Sequence, residues 1–233
     1  MDRVLSDPGF GDDTGDADPA LAAALATGRP DAVWPLLIDA RVLVPIIAIL
    51  DEVDERGVEK STDMAVVTLR TPDGKVALPA FTSLAALMSW HAEARPLPIS
   101  GARACEATLF ERADALVLDP AGPVTFVVDG YALRALAAGE APQLAHADPE
   151  VRAVVTAALH DLADLEAAFL VPSDDADAVL ALVWGADCVD PTASSTAFAR
   201  GLVEHPVLRE RLVRGLDIAV LPPGSELSTG RLR

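Results

Sequence analysis

Residues 33–50, VWPLLIDARVLVPIIAIL, form the most membrane-like stretch of the chain. Asp39 and Arg41 interrupt it, and the unbroken apolar part, residues 42–50, is nine residues long. A membrane-spanning helix needs about 20. The stretch is therefore read as a buried strand of a cytoplasmic protein, with no membrane partner. Pro45 cannot donate a ladder hydrogen bond, which predicts an edge or a bulge for it. The start, MDRVLSDPGF, has no apolar core and is read as no signal peptide. Cys105 and Cys188 stand far apart, so no disulfide framework is expected.

At 233 residues, the chain can hide roughly three quarters of its unfolded surface without a disulfide or metal staple. Hydrophobic residues reach 51% but aromatics only 4%, so Ala, Val and Leu must fill the interior. The formal charge of −18 argues against nucleic acid, whose phosphates demand clustered Lys and Arg, and against an anionic membrane surface. It fits a soluble protein with, at most, a cationic partner.

The pattern along the chain predicts an α+β protein of two mixed-sheet, α/β-sandwich-like units in tandem. Residues 1–17 are Asp-rich, with glycines and almost nothing apolar after Phe10, and read as a disordered acidic tail. The first unit is residues 18–139. Asp18-Pro19 opens a helix that Gly28 stops. Strands are expected at 40–50, 64–70 and 75–81, the last two joined by the TPDGK turn. A short helix over 83–90, an extended 95–100, a helix over 101–112 and two more strands around the 120–123 turn follow. A helix closed by Gly139 ends the unit. Residues 140–149 read as a linker. In the second unit, 150–224, Val151, Val154, Val155, Ala158, Leu159 and Leu162 mark an amphipathic helix. Strands at AAFLVP and AVLALVWG, a helix over 191–204 and a last strand at LDIAVLP complete it. Residues 225–233 read as a frayed tail.

Thr82 and Ser83 sit where a strand ends and a helix begins. A hydroxyl there can accept from an orphan amide, so both are read as helix-starting groups, with Leu84, Leu87 and Met88 turned to the core. The rival is a carboxylate-bearing ligand, an amino acid or a similar small anion, resting near Thr82, Ser83 and the 119–122 turn, including Asp119 and Gly122. Nucleophilic catalysis needs a base within hydrogen-bond reach; His91 is eight residues away at the far end of the same helix. His91, His146, His160 and His205 show no metal-ligand spacing, and the acidic stretch 12–18 lacks the Glu of a calcium loop, so no metal is expected. No phosphate-cradling or nucleophile-elbow motif occurs, and no catalytic residue or cofactor is assigned. The SDDAD turn, with Asp174, Asp175 and Asp177, is read as exposed and able to steer a basic protein surface.

The wording of several segments resembles a known family. RVLVPIIA, MAVVTLRTPDGKVALPAFTSLAALMSW, RPLPISG and LVLDPAGPVTFVV are similar to the N-terminal domain of the SseB family, the enhanced serine sensitivity B proteins. AAFLVPSDDADAVLALVWG and RLVRGLDIAVLPPG are similar to its C-terminal domain. The family often writes Asn-Pro-x-x where this chain has Asp119-Pro120-Ala121-Gly122, which removes an amide able to bridge two loops. The resemblance implies a fold and no catalytic residues. The expectation is a non-enzymatic, cytoplasmic interaction or regulatory protein with a protein partner or self-association. The alternatives are a sensor of an amino-acid-like ligand, or a hydrolase or transferase assembled only by the fold.

Overall fold

A computed structural model describes residues 13–49, 63–71 and 74–233, in two compact units, Met1–Pro142 and Gln143–Arg233. Each carries helices on β-sheet, the α+β organisation the pattern predicts. In the first unit the Asp18 carboxylate accepts from the Leu21 N–H and opens α1 (Pro19–Thr27), and Gly28 closes it at φ 66°. Residues 33–37, the part of the apolar stretch ahead of the strand expected at 40–50, belong to a helix that was not expected, α2 (Pro30–Leu37). Pro30 suits a first helical position, and Val33 and Leu37, four apart, are both fully buried on one face. Only the second half of the apolar stretch is a strand, β1 (Arg41–Ile49).

The rest of the unit runs β2 (Asp63–Val66), β3 (Leu69–Arg70), β4 (Val76–Ala80), α3 (Leu84–Trp90), β5 (Arg95–Ser100), α4 (Gly101–Phe110), β6 (Ala115–Leu118), β7 (Phe126–Asp129) and α5 (Gly130–Ala137). One sheet has the order β2-β1-β5 and the other β3-β4-β6-β7, with β4 and β6 parallel and the other pairs antiparallel. The sheets join where Leu43 and Phe81 exchange both backbone hydrogen bonds, at 2.8 and 2.9 Å. The single strand read over 64–70 is thus two, because the chain passes from one sheet to the other between Val66 and Leu69.

Pro45 is in the central strand, not at an edge. Alternation explains how it is tolerated. Leu43 faces Phe81, so Pro45 turns its backbone the same way, to the place where β2 has just ended; its carbonyl accepts from Val67 N–H at 3.4 Å. On β5, Pro96 and Pro98 pair with Pro45 and Leu43, which directs their missing N–H groups to the sheet's outer side. Prolines so placed blunt an edge against further pairing.

The main core joins α1, α2, α4 and α5 to the sheets through Leu21, Leu37, Leu78, Leu116 and Leu136. Burying each such side chain favours the fold by roughly 1.5–3 kcal/mol. Gly101 is required where α4 meets α2: a Cβ there would lie 1.9 Å from the Leu37 carbonyl oxygen. A smaller cluster of Leu43, Phe81, Leu87 and Ala94 lies against α3. Of the three α3 residues expected to face inward only Leu87 is buried; Leu84 and Met88 are 40% and 43% exposed.

The second unit runs α6 (Pro149–Leu159), β8 (Leu165–Val171), β9 (Ala178–Trp184), α7 (Pro191–Val203), α8 (Pro206–Arg211) and β10 (Leu216–Leu221). Its sheet has the order β10-β9-β8, with β8 antiparallel and β10 parallel to β9. Ala168, Leu170, Leu180 and Leu182 join the helices in one core, while Ala167, Phe169, Ala181 and Val183 form a second cluster. Two buried faces explain why β8 and β9 read as unbroken apolar runs.

Two segments depart from the reading as linker and frayed tail. Ala145 belongs to the second core, and Leu144 accepts from the Ala147 and Asp148 N–H groups, so the second half of residues 140–149 is part of that unit. The last residues lie along β8: Leu170 N–H donates to Gly230, Leu232 N–H to Ala168, and the Arg233 guanidinium to the Leu159 and Leu162 carbonyls. An apolar Leu232 and an Arg that meets the end carbonyls of α6 supply what composition alone does not reveal.

Candidate functional site

The β4–α3 junction gathers the polar groups singled out in the sequence. Ser83 is the N-cap of α3, its Oγ accepting from Ala86 N–H at 3.1 Å, as the sequence predicts. Thr82 behaves differently. Its hydroxyl donates to Asp119 Oδ2 at 2.7 Å, and its N–H donates to Asp119 Oδ1 at 2.9 Å. The reading of Thr82 as an acceptor from helix amides is thereby corrected, and a distant carboxylate takes over its groups.

Asp119 ends β6 with φ 47°, a left-handed conformation that Asp adopts more readily than most residues. Its N–H donates to Ala80, and its carbonyl accepts from Gly122 N–H and Thr125 Oγ1. Thr82 and Asp119 are 6% and 8% exposed. The expected loss of a bridge at this Asp is also corrected. A carboxylate accepts from both donors of Thr82, so Asp119 itself bridges the two loops. Gly122 is brought close, but its N–H is spent on Asp119 and a Cβ there would stand 3.0 Å from that of Asp119. The four residues proposed to hold a small ligand thus include a contacting trio and a neighbouring cap, with their main polar groups turned on one another.

Arg41, which the sequence reading passed over, completes the cluster. Its guanidinium donates to the Thr82 carbonyl at 2.8 Å and to the Asp16 carbonyl, and meets Asp13 Oδ1 at 3.0 Å. Residues 13–17, read as part of a disordered tail, therefore lie against the fold; residues 1–12 are outside the described residues. The Leu84 N–H donates to Gly15 at 2.7 Å, closing this segment over α3. Arg41 stood in the sequence only as an interruption of an apolar stretch, and its partners, Asp16, Asp13 and Thr82, are distant in the chain and carry no local signal.

The SDDAD turn divides its carboxylates between two tasks. Asp177 Oδ2 accepts from the Arg214 and Gly215 N–H groups at 2.6 and 2.9 Å, and Arg214 also donates to the Asp174 carbonyl. Ser173 Oγ accepts from the Asp175 and Ala176 N–H groups. Asp177 is therefore an anchor, and Asp174 and Asp175 are the exposed pair.

His91 ends α3 with its ring beside Trp90, and its Nδ1 is buried without a hydrogen-bond partner. Among the described residues no group of three His, Cys, Asp or Glu side chains is placed to hold a metal, and no helix is long and apolar enough to cross a membrane. Cys105 is buried in the first core, and burial pushes its thiol up to about 12, which leaves it inert at neutral pH.

Comparisons with curated proteins and with solved structures return no significant match. A family model does match: that of the SseB protein N-terminal domain, over residues 18–135. The match begins at the Asp18 cap of α1, ends inside α5 and takes in Arg41, Thr82, Ser83, Asp119 and Gly122. With just over half of its 233 residues so matched, the chain belongs to the SseB family.

Proposed function

We propose that this SseB-family chain is a non-enzymatic, cytoplasmic interaction or regulatory module, and that its second unit is the family's C-terminal domain. The observation that carries the interaction reading is the held acidic turn at Asp174 and Asp175, and the non-enzymatic part rests on the Thr82 hydroxyl, the most reactive-looking group in the sequence. It is buried and donated to Asp119, which suits a structural closure and not a nucleophile. A nucleophile needs a base and an approaching substrate; Asp119 stands where a base would, so it is the burial of both groups, 6% and 8% exposed, that weighs against attack. The tethered turn that presents Asp174 and Asp175 supports docking of a basic protein surface, because a held turn loses less freedom on binding. The charge of −18 weighs against nucleic acid as the partner. Cross-linked co-purification of the full chain from its native host, with size-exclusion chromatography of the purified protein, tests this. A specific partner or stable self-association is expected; a monomer that captures nothing overturns the reading.

One observation favours a small-ligand reading. A cavity of about 230 Å³ lies between α7, α8 and β10, lined by Leu202, Leu208, Leu212, Leu216 and Ile218, with Arg209 also present. An apolar lining with one guanidinium suits an amino acid with an aliphatic side chain better than serine. Thermal shift with leucine and with serine separates the two: a rise with leucine alone supports this reading, and no rise with either rejects it.

A further inference from the structure

The segment Asp13–Asp16 occupies a groove of the first unit without filling it. On one side Arg41, which is only 10% exposed, meets the Asp13 carboxylate and donates to the backbone carbonyls of Asp16 and Thr82. On the other side an open space of about 180 Å³ remains between the segment and Leu43, Leu84, Pro96 and Pro98. The segment is shaped for this place. Asp13 Oδ1 accepts from Gly15 N–H at 3.0 Å, and Thr14 Oγ1 donates to Asp16 Oδ2 at 2.9 Å, which makes a tight turn. Gly15 takes φ 82°, and a Cβ on it would lie 3.1 Å from that of Leu84, so glycine is demanded twice over. The neighbouring outer side of β5 lacks the Pro96 and Pro98 N–H groups, so an added chain must be held by Arg41 and the apolar floor, not by a continued sheet ladder.

From this we infer that the Arg41 groove is a docking site for a short acidic turn of a partner protein, of the form Asp-x-Gly with an apolar residue at x. The chain's own Asp13–Asp16 holds the site in cis and must be displaced. Thr14 stands at x and lines the unfilled space, so the resident segment makes the polar contacts but forgoes the apolar one. A partner with leucine at x buries apolar surface that the cis segment leaves open, which is what lets it compete. The ion pair fixes register and orientation, and the apolar floor discriminates between occupants.

The inference rests on the interaction reading and adds to it a second surface, one that takes an acidic turn where Asp174 and Asp175 suit a basic surface. Fluorescence anisotropy with the full chain and a labelled peptide of residues 10–18 carrying Thr14→Leu tests it. The Asp13→Asn chain, whose own segment is weakened, is expected to bind this peptide at least tenfold tighter than the unaltered chain. The unsubstituted peptide is expected to bind more weakly than the Thr14→Leu peptide, and Arg41→Gln in the Asp13→Asn chain is expected to abolish binding. A peptide that also carries Asp13→Asn repeats the Arg41 test without touching the protein, and is expected to lose at least tenfold. No binding to the Asp13→Asn chain at millimolar peptide, or binding indifferent to the peptide's Asp13, overturns the site. A dimer that forms by exchange of the segment between copies overturns it in favour of a second copy. If host partners are still captured while the peptide fails, the site alone is wrong; if both fail, the interaction reading falls with it.

Discussion

Asp119 and Asp148 are buried carboxylates, one in each unit, and their oxygens are partnered in different ways. Asp148 caps α6 by accepting from the Glu150 and Val151 N–H groups, and Arg211 from α8 meets its other oxygen at 2.8 Å while also reaching Glu150. Asp119 receives an amide and a hydroxyl from Thr82. The first arrangement needs a charge and the second needs acceptors. The two sites should therefore respond alike to truncation and differently to an amide.

The largest expected effect is at Asp148. Replacement by Ala removes a cap and takes from Arg211, which is 18% exposed, its buried carboxylate partner; chemical denaturation should show a loss of about 3 kcal/mol. Asp119→Ala strands two buried donors and should cost about 2–3 kcal/mol by the same measurement. The amide variants sharpen the contrast. Asp148→Asn keeps the cap but loses the ion pair and should cost about 1–2 kcal/mol, more at low salt than at high. Asp119→Asn keeps a carbonyl acceptor for the Thr82 N–H and can donate to its hydroxyl, so a loss of under about 1 kcal/mol is expected. Equal costs for the two amides would break the comparison.

The same contrast explains what was legible. The capping partners of Asp148 lie two and three residues on, the kind of near spacing that also marked Asp18-Pro19 as a helix start. Ser83 was readable for the same reason. The partners of Asp119 lie 37 residues back in the chain, and those of Arg41 lie 25 and 41 away, so no local pattern marks them. The helix at 30–37 was missed because it is only eight residues long and holds Pro35 inside it, which leaves little more than two turns for a period to show. The docked residues 13–17 and 230–233 were lost because composition predicts the cost of ordering a segment but not the surface that receives it.

Smaller effects complete the ordering. Ser83→Ala should cost about 1 kcal/mol in denaturant, as for other lost caps. Burial raises the Cys105 thiol above its ordinary value to about 12, so the unfolded chain releases this proton before the folded one. The stability this provides is complete below about pH 9 and declines as pH rises toward 12, which pH-dependent melting of a Cys105→Ala comparison can register. A thiol reagent at neutral pH should accordingly modify Cys188 in the native chain well before Cys105. The smallest effect is expected at Asp31. Arg29 holds its carboxyl below the usual range, but the pair is exposed, so Asp31→Asn should leave the melting temperature unchanged.

The most direct test of the central claim, that the Thr82 hydroxyl is committed to holding the fold together, is a double-mutant cycle of Thr82→Val with Asp119→Ala, read by equilibrium denaturation. The hydroxyl-to-carboxylate bond should appear as a coupling of about 1–2 kcal/mol. A coupling near zero, or a Thr82→Val chain more stable than the original, would contradict it.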